Sequence, residues 1–180
     1  MKKIVIILTL SLLPFFASAQ SIESGGIDEF TGKPVVYTSW TSLYTKKATF
    51  LPDYYFNVSF MLRYENEKVF FHLKWNNSIN SINKDSELSF KLDNSSVIAL
   101  RATDDFRADV DVYTTLDRSH SKNIMYVVYE GDMIALMGDN LITKLRIDTP
   151  YGARVYELDK KNAQKISKAY QLIINEIKNI

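Results

Sequence analysis

The chain has 180 residues, with 22 Lys and Arg against 21 Asp and Glu, and it contains no cysteine. This balance excludes the basic excess that nucleic-acid-binding proteins usually carry, so DNA and RNA are not expected partners. Without cysteine, disulfides, thiol nucleophiles and thiolate metal sites are excluded as well. The length predicts one domain that buries a sufficient core without a metal or a disulfide.

The first 19 residues have the layout of a cleavable secretory signal peptide. Two lysines precede an apolar run that ends at Phe16, and Ala17-Ser18-Ala19 then supplies an Ala-x-Ala cleavage site. The alternative is a retained membrane anchor, but the run is shorter than the roughly 20 residues that span a bilayer, and Pro14 interrupts it. We therefore predict cleavage between Ala19 and Gln20. The product is expected to be exported, without a transmembrane or lipid anchor.

A flexible lead-in is predicted for residues 20 to 32, because three glycines lie there among polar residues. From Lys33 to residue 180 the pattern indicates a single β-rich domain. Alternation of apolar and polar residues predicts a one-sided strand over residues 54 to 64. Asn66 and Glu67 form the expected turn into a second strand over residues 68 to 75.

Further strands follow the same alternation. A second hairpin is predicted over residues 88 to 92 and 98 to 102, with turn residues between them. More strands are expected at residues 108 to 115, 124 to 130, 141 to 147 and 152 to 158, with one helical turn over residues 132 to 137. Eight or nine short strands predict a mainly β fold, an antiparallel β-sandwich or barrel.

The period changes at Asp159, which is the expected N-cap of an amphipathic helix over residues 159 to 179. Apolar residues recur there at steps of three and four, at Ala163, Ile166, Tyr170, Ile173 and Ile177. Its opposite side is rich in lysine, as in helices that lie on a membrane or bind a partner. We favour the simpler interpretation that the apolar stripe packs on the sheet.

Residues that carry chemistry are few. His72 is predicted in a strand on its wetter face and His120 in a loop, and neither has a ligand partner nearby in the sequence. The acidic cluster Asp104, Asp105, Asp109 and Asp111 lacks the Gly and final Glu of a helix-loop-helix calcium site. A glycosidase-type carboxylate pair there depends on a distance that the sequence does not give. The simplest interpretation is the solvent face of a strand, and no metal or cofactor is expected.

Aromatic residues are the remaining candidates for a binding site. Strands favour aromatics for packing, so the core is their default position. Trp40 and Tyr55 are the exceptions, because each lies on the face opposite the clearer apolar set of its strand. Exposed Trp and Tyr side chains stack on sugars or anchor partners, which makes these two the predicted binding residues.

The signal ending in Ala17-Ser18-Ala19-Gln20, the cysteine-free β-rich body and the Lys-rich final helix suggest a bacterial envelope protein. In this layout the chain resembles small exported β-rich proteins of unknown function from Bacteroidetes-type bacteria. The resemblance implies a periplasmic or secreted location and no particular activity.

Three functions are compatible with these features. The preferred hypothesis is a non-catalytic envelope module that binds a protein, a glycan or a small apolar ligand. The second is a periplasmic hydrolase that uses the carboxylates of residues 104 to 111. The third is an assembly subunit that adds strands edge to edge. The sequence does not determine the oligomeric state.

Overall fold

Antiparallel strands make up most of the described chain. The computed structural model describes residues 20–47, 55–77, 80–115, 118–134 and 140–180. The strands are β1 Ile22–Ile27, β2 Pro34–Thr38, β3 Thr41–Lys47, β4 Tyr55–Glu65, β5 Lys68–Asn77, β6 Ser81–Ile82, β7 Glu87–Leu92, β8 Val97–Ala102, β9 Phe106–Arg107, β10 Asp109–Thr115, β11 Arg118–Glu130, β12 Ile142–Ile147 and β13 Arg154–Glu157. Two helical segments follow, α1 Lys160–Ala163 and α2 Lys165–Ile177. The predicted mainly β class with a C-terminal helix is confirmed.

One large sheet carries the fold, in the order β1-β2-β4-β5-β11-β8-β7-β12-β13. Strand β3 continues β2 along the same side of β4, with Thr41 opposite Phe60. Strand β10 likewise continues β8 along β11, with Asp109 opposite Ile124. The short strands β6 and β9 pair separately. Every strand pair in the described residues is antiparallel, as predicted for an antiparallel sandwich or barrel.

The sheet folds over itself without closing into a barrel. Strands β5 and β13 lie five positions apart in the order, which corresponds to about 24 Å in a flat sheet. Even so, the Trp75 indole N–H donates a 2.8 Å hydrogen bond to the Tyr156 hydroxyl. The Phe71 ring on β5 also contacts the Phe90 ring on β7, with centroids 5.4 Å apart. Of the two predicted alternatives, the layout therefore corresponds to the sandwich.

The core fills the space between the two halves of this folded sheet. Alternating residues of the central strands are fully buried there, led by Phe60, Phe71, Trp75, Phe90 and Tyr129. Large aromatic rings in contact leave little room between the layers, since packed interiors contain few voids larger than a water molecule.

Both predicted hairpins are confirmed. Asn66 and Glu67 have φ values of 50° and 64°, the left-handed pair of a two-residue turn whose twist matches that of the flanking strands. Glu65 accordingly pairs with Lys68. In the second hairpin Leu88 lies opposite Leu100 on the buried face.

The predicted flexible lead-in over residues 20 to 32 contains strand β1, which pairs with β2. Polar residues suit this strand because it lies at the edge of the sheet and exposes most of its side chains. A Cβ at Gly25 would lie 3.3 Å from the Glu176 side chain, so a small residue allows α2 to approach β1.

Two other segments also differ from their predicted form. In β12 the buried residue is Ile142 rather than Leu141, because a bulge between Ile142 and Lys144 shifts the alternation. Strand β11 begins at Arg118, so the backbone of His120 lies in a strand and not in a loop. Of the predicted helical turn at 132 to 137, the structure describes the cap alone: Asp132 accepts a 2.8 Å hydrogen bond from the Ile134 N–H.

The predicted N-cap Asp159 accepts a 2.8 Å hydrogen bond from the Asn162 N–H. The helix is interrupted at Gln164, and α2 packs against β1, β2 and β4. Ile166, Ala169 and Ile173 are fully buried in the main core, which confirms that the apolar stripe packs on the sheet. Within the described ranges no helix combines the length and apolarity needed to span a bilayer.

Candidate functional site

Trp40 lies on the outer surface of the sheet, in the two-residue connection between β2 and β3. The chain changes register against β4 at this point, since Tyr37 pairs with Arg63 and Thr41 pairs with Phe60. Such an irregularity re-aims a side chain. The Trp40 side chain is 39% exposed, a large fraction for an indole.

The Trp40 ring contacts the Tyr126 ring of β11 edge to face, with centroids 6.1 Å apart. Strands β4 and β5 lie between β11 and the β2–β3 connection, so the two backbones are separated by about 14 Å. Both side chains must therefore lie flat across the outer surface of β4 and β5. Tyr126 remains 45% exposed, and the Lys74 ammonium lies 5.3 Å from its ring centroid.

Met61 and His72 share this outer surface, because they are directly opposite each other on β4 and β5. His72 also pairs with Val128 on β11, so apolar side chains flank it on both sides. Burial, and secondly the Arg63 charge, lower the pKa of His72 from 6.5 to about 4. Its Nε2 atom is buried and has no hydrogen-bond partner. The imidazole is therefore neutral and lies on a dry part of the surface.

A second cation–π contact, in addition to that of Lys74 with Tyr126, lies at the β2 side of this surface. The Arg63 guanidinium carbon is 5.3 Å from the centroid of the Tyr37 ring. An open groove of about 400 Å³ runs beside Trp40, lined by Glu23, Ser24, Tyr37, Trp40 and Met61. We call the whole surface the outer aromatic face; it comprises Tyr37, Trp40, Met61, Arg63, His72, Lys74 and Tyr126.

Tyr55, the other predicted binding residue, cannot be assigned to the outer aromatic face. Tyr55 begins β4, where its backbone is paired with Lys47, but its side chain lies outside the described part of the chain. Of the predicted cleavage site, Ala19 is likewise outside the described residues. Gln20 is described, and it is partly buried against the C-terminal helix region.

The acidic cluster is spread over a turn and a strand. Asp105 accepts a 2.7 Å hydrogen bond from the Lys84 N–H, and Asp104 accepts one of 2.8 Å from the Asp105 N–H. Both carboxylates thus fix the local backbone. Asp109 is exposed on β10, but so is Val110 at 64%, so this end of the strand has no buried face. The Asp111 side chain is outside the described part.

A larger cleft of about 640 Å³ lies near the β4–β5 turn and the end of β11. Its wall carries both signs of charge, with Lys68, Lys84 and Arg101 set among acidic residues. Lys68 and Glu130 form an ion pair there at 3.5 Å. Burial and the Asp132 charge raise the pKa of Tyr170 in its floor. Mutual neutralisation leaves this cleft without a dominant charge for a ligand.

Metal-binding geometry is not found in the described ranges, because no three His, Asp or Glu side chains there come close enough together to hold an ion. No cofactor site is apparent in the same ranges. The side chain of His120, one of the two histidines, falls outside them.

The sequence predicted Trp40 but missed Tyr126, which had been assigned to the core by default. The sequence carries no alternation that marks it, because residues 124 to 129 are all apolar or aromatic; only the burial of Met125 and Val127 shows that Tyr126 faces outward. Tyr151, at 72% exposed, is also outside the core. Lys74 and Met61 were missed because nothing in a local pattern shows which strands are neighbours.

Fold and surface together define this chain as an antiparallel, sandwich-like β protein with a C-terminal helix and an exposed aromatic surface on one sheet face. No family model, curated protein or solved structure matches it.

Proposed function

We propose that this chain is an exported, non-catalytic binding module of a bacterial envelope, which binds its ligand on the outer aromatic face. Export, in a periplasm or by secretion, is inferred from the signal-like N-terminus. A bacterial host is inferred from the absence of cysteine and from the layout shared with exported Bacteroidetes-type proteins.

One observation supports the binding proposal most strongly: Trp40 and Tyr126 are held against each other on an open surface. Burying a large aromatic side chain stabilises a fold by about 1.5–3 kcal/mol, which partial exposure forgoes in part. Clustered exposed aromatics, unlike single ones, commonly mark interaction sites. The cationic side chains of Lys74 and Arg63 beside the rings supply hydrogen-bond donors.

A glycan fits this face better than a small apolar ligand does. Small apolar ligands bind in enclosed cavities, whereas the space between the sheet layers is filled by aromatic side chains. Sugar rings present flat C–H faces that stack on Trp and Tyr, and their hydroxyl groups accept from Lys and Arg. The groove beside Trp40 also carries Glu23 and Ser24, whose oxygens accept from sugar hydroxyls.

The two alternatives have less support. For the hydrolase, Asp104 and Asp105 are engaged with backbone N–H groups, and Asp109 lies on an exposed strand face. For strand addition, the strands at the two ends of the sheet order are weak templates, since β13 is four residues long and β1 contains two glycines, and the longer strands β3 and β10 have one described partner each. Short edges with glycine are poor templates for pairing.

The test is a titration of the purified protein with chitohexaose, maltohexaose, xylohexaose and solubilised peptidoglycan, followed by tryptophan fluorescence. We expect at least one of these probes to change the emission. Binding to the Trp40→Ala variant is measured by calorimetry, because this variant lacks the tryptophan whose fluorescence would report binding at the face. We expect Trp40→Ala and Tyr126→Ala each to weaken binding by about tenfold or more, the cost of losing one aromatic anchor.

Tyr151→Ala is the matched control, because Tyr151 is an exposed tyrosine away from this face. It should bind as the wild type does. Absence of binding to every probe, or binding that survives both face variants, would contradict the proposal. Turnover of a probe that is lost in both Asp109→Asn and Asp111→Asn would favour the hydrolase instead.

A further inference from the structure

A second cleft lies between the α1–α2 segment and the start of β3, and the charged residues that line it are all basic. It measures about 440 Å³ and is lined by Gln20, Thr41, Lys161, Lys165, Lys168, Gln171, Leu172 and Asn175. We call it the lysine cleft. Three of its described lining residues are lysines and none is acidic, although the chain as a whole is almost neutral.

Helix geometry explains why the lysines converge. Lys161, Lys165 and Lys168 follow one another at steps of four and three, which places them on one side of the α1–α2 segment. Ile166, Ala169 and Ile173 occupy the adjacent side and fix that segment to the core. Core packing therefore sets which side of the segment carries the three lysines.

The cations are close enough to affect one another. Burial and, secondly, the Lys161 charge lower the pKa of Lys165, whereas the charge of Asp159 raises it. The Lys165 ammonium donates a 2.6 Å hydrogen bond to the Ser42 carbonyl, which holds it at the cleft wall. Asp159 caps α1 and does not line the cleft, although its charge partly offsets that of Lys165.

Gln20 adds an uncharged side-chain amide whose hydrogen-bonding atoms have no partner in the described structure. Both its amide oxygen and its amide nitrogen are buried. A buried polar group that is left unpaired loses its hydrogen bonds to water without replacing them. A ligand that accepts from the Nε2 group and donates to Oε1 would replace those hydrogen bonds.

From these observations we propose that the lysine cleft binds a small anionic molecule, one whose phosphate, sulfate or carboxylate group lies between the lysines. Lysine is a common phosphate-binding residue that acts as a point charge. The volume falls within the usual 300–1,000 Å³ of small-molecule sites, so the cleft accommodates more than a bare ion. Leu172 offers apolar contact, and Gln171 and Asn175 offer hydrogen bonds to the rest of the ligand.

This site is separate from the outer aromatic face, and it does not depend on the function proposed there. The source of the anionic group is either a free small molecule or a lipid headgroup. The basic helix is compatible with both, since anionic membrane surfaces attract lysines as well. Glucose 6-phosphate and phosphatidylglycerol vesicles represent the two sources.

The experiment measures binding of each probe to the full protein at low ionic strength, by calorimetry for the sugar phosphate and by co-sedimentation for vesicles. Glucose and phosphatidylcholine vesicles are the uncharged comparisons. We expect an anionic probe to bind and its uncharged counterpart not to bind. The double variant Lys161→Gln/Lys168→Gln should lose about tenfold or more in affinity, as expected when two charge-assisted contacts are removed.

A double variant Lys160→Gln/Lys178→Gln removes the same charge from exposed lysines of the same segment that do not line the cleft. It should keep the wild-type affinity to within about twofold, since neither of these two lysines lines the cleft and neither contacts a ligand bound there. Equal losses in both double variants, or no binding of either anionic probe, would overturn the proposal. Trp40→Ala should leave this binding unchanged, which separates the two sites.

Discussion

At the scale of single residues, the outer aromatic face combines exposed rings with one nearly dry histidine. His72 lies opposite Met61 on β4 and Val128 on β11, so its charged form would lose much of its hydration. Arg63 adds a repulsive charge to this environment. Neutral His72 thus keeps this part of the face less polar than the histidine in the sequence suggests.

A prediction about pH follows from this residue. Its pKa is 6.5 in the unfolded chain and about 4 in the folded protein, so the unfolded chain binds the extra proton between these values. Stability should therefore fall as the pH is lowered through that window. After allowance for the remaining solvent contact of the ring, the contribution is about 2 kcal/mol.

Urea unfolding near neutral pH and at about pH 4.5 measures this loss, and His72→Gln should reduce it, since a neutral amide does not titrate there. Carboxylates titrate in both proteins, so their share cancels in the comparison. Proton NMR should show one imidazole titrating near pH 4. An imidazole of His72 that titrates near 6.5 would contradict the prediction.

Residue patterns predicted the exposure of Trp40 because they are local. The alternation of β3, in which Thr41 and Leu43 are buried, leaves Trp40 on the outer side, and the register change after Tyr37 separates it from the buried positions of β2. The contact with Tyr126 was not predictable in the same way. It depends on which strands become neighbours, and alternation assigns a residue to a face without naming the strand beside it.

At the scale of elements, glycine at the end of β11 allows the chain to pass close to β8. A Cβ at Gly131 would lie 2.8 Å from the Leu100 Cδ2 atom and 3.2 Å from the Ala99 carbonyl oxygen. The leucine side chain can rotate away, but the strand carbonyl cannot. The close pairing of Tyr129 and Glu130 with β8 therefore requires a small residue at the next position.

Gly131→Ala should accordingly lower the free energy of unfolding by about 1–3 kcal/mol, the usual cost of forcing an added methyl group into a packed site. Gly26→Ala provides the control, because nothing lies within 4 Å of a Cβ at Gly26. It should change stability by less than about 0.5 kcal/mol. If urea unfolding gave the same free energy of unfolding for both variants, the predicted clash at Gly131 would be wrong.

A bulge accounts for the buried position in β12 that the sequence misassigned. Each bulge inserts a residue without a partner, so the alternation on one side no longer matches the other side. This explains why Ile142 replaces Leu141 in the core. Strand β1 was missed for a different reason: an edge strand gains its hydrogen bonds from β2 and needs no apolar face of its own.

At the scale of the whole molecule, the sheet and the C-terminal helix share one core. Ile173 of α2 is fully buried in the same cluster as Phe60 and Leu62 of β4. The helix is amphipathic and contacts three strands, so it buries its apolar side on the sheet alone. Helix and sheet should therefore unfold in a single transition.

Ile173→Ala tests this coupling. It should destabilise the protein by about 2–5 kcal/mol, because it leaves a cavity between helix and sheet. Far-ultraviolet circular dichroism and tryptophan fluorescence should shift together during urea unfolding, while exposed Lys178→Ala should shift neither. A helix signal lost at lower urea than the fluorescence signal would show that the helix is an independent element.

Local chemistry alone was enough to predict the strand alternation, the Asn66–Glu67 turn and the Asp159 cap. Each depends on residues only a few positions apart in the sequence, where steric contacts and short-range hydrogen bonds decide the conformation. The tertiary structure alone decided that Trp40 meets Tyr126 and that three lysines face Gln20. Those neighbours are distant in the chain. Trp40 and Tyr126 come together because the strand order places only β4 and β5 between them, and the lysines come together with Gln20 because the helix packs on the sheet.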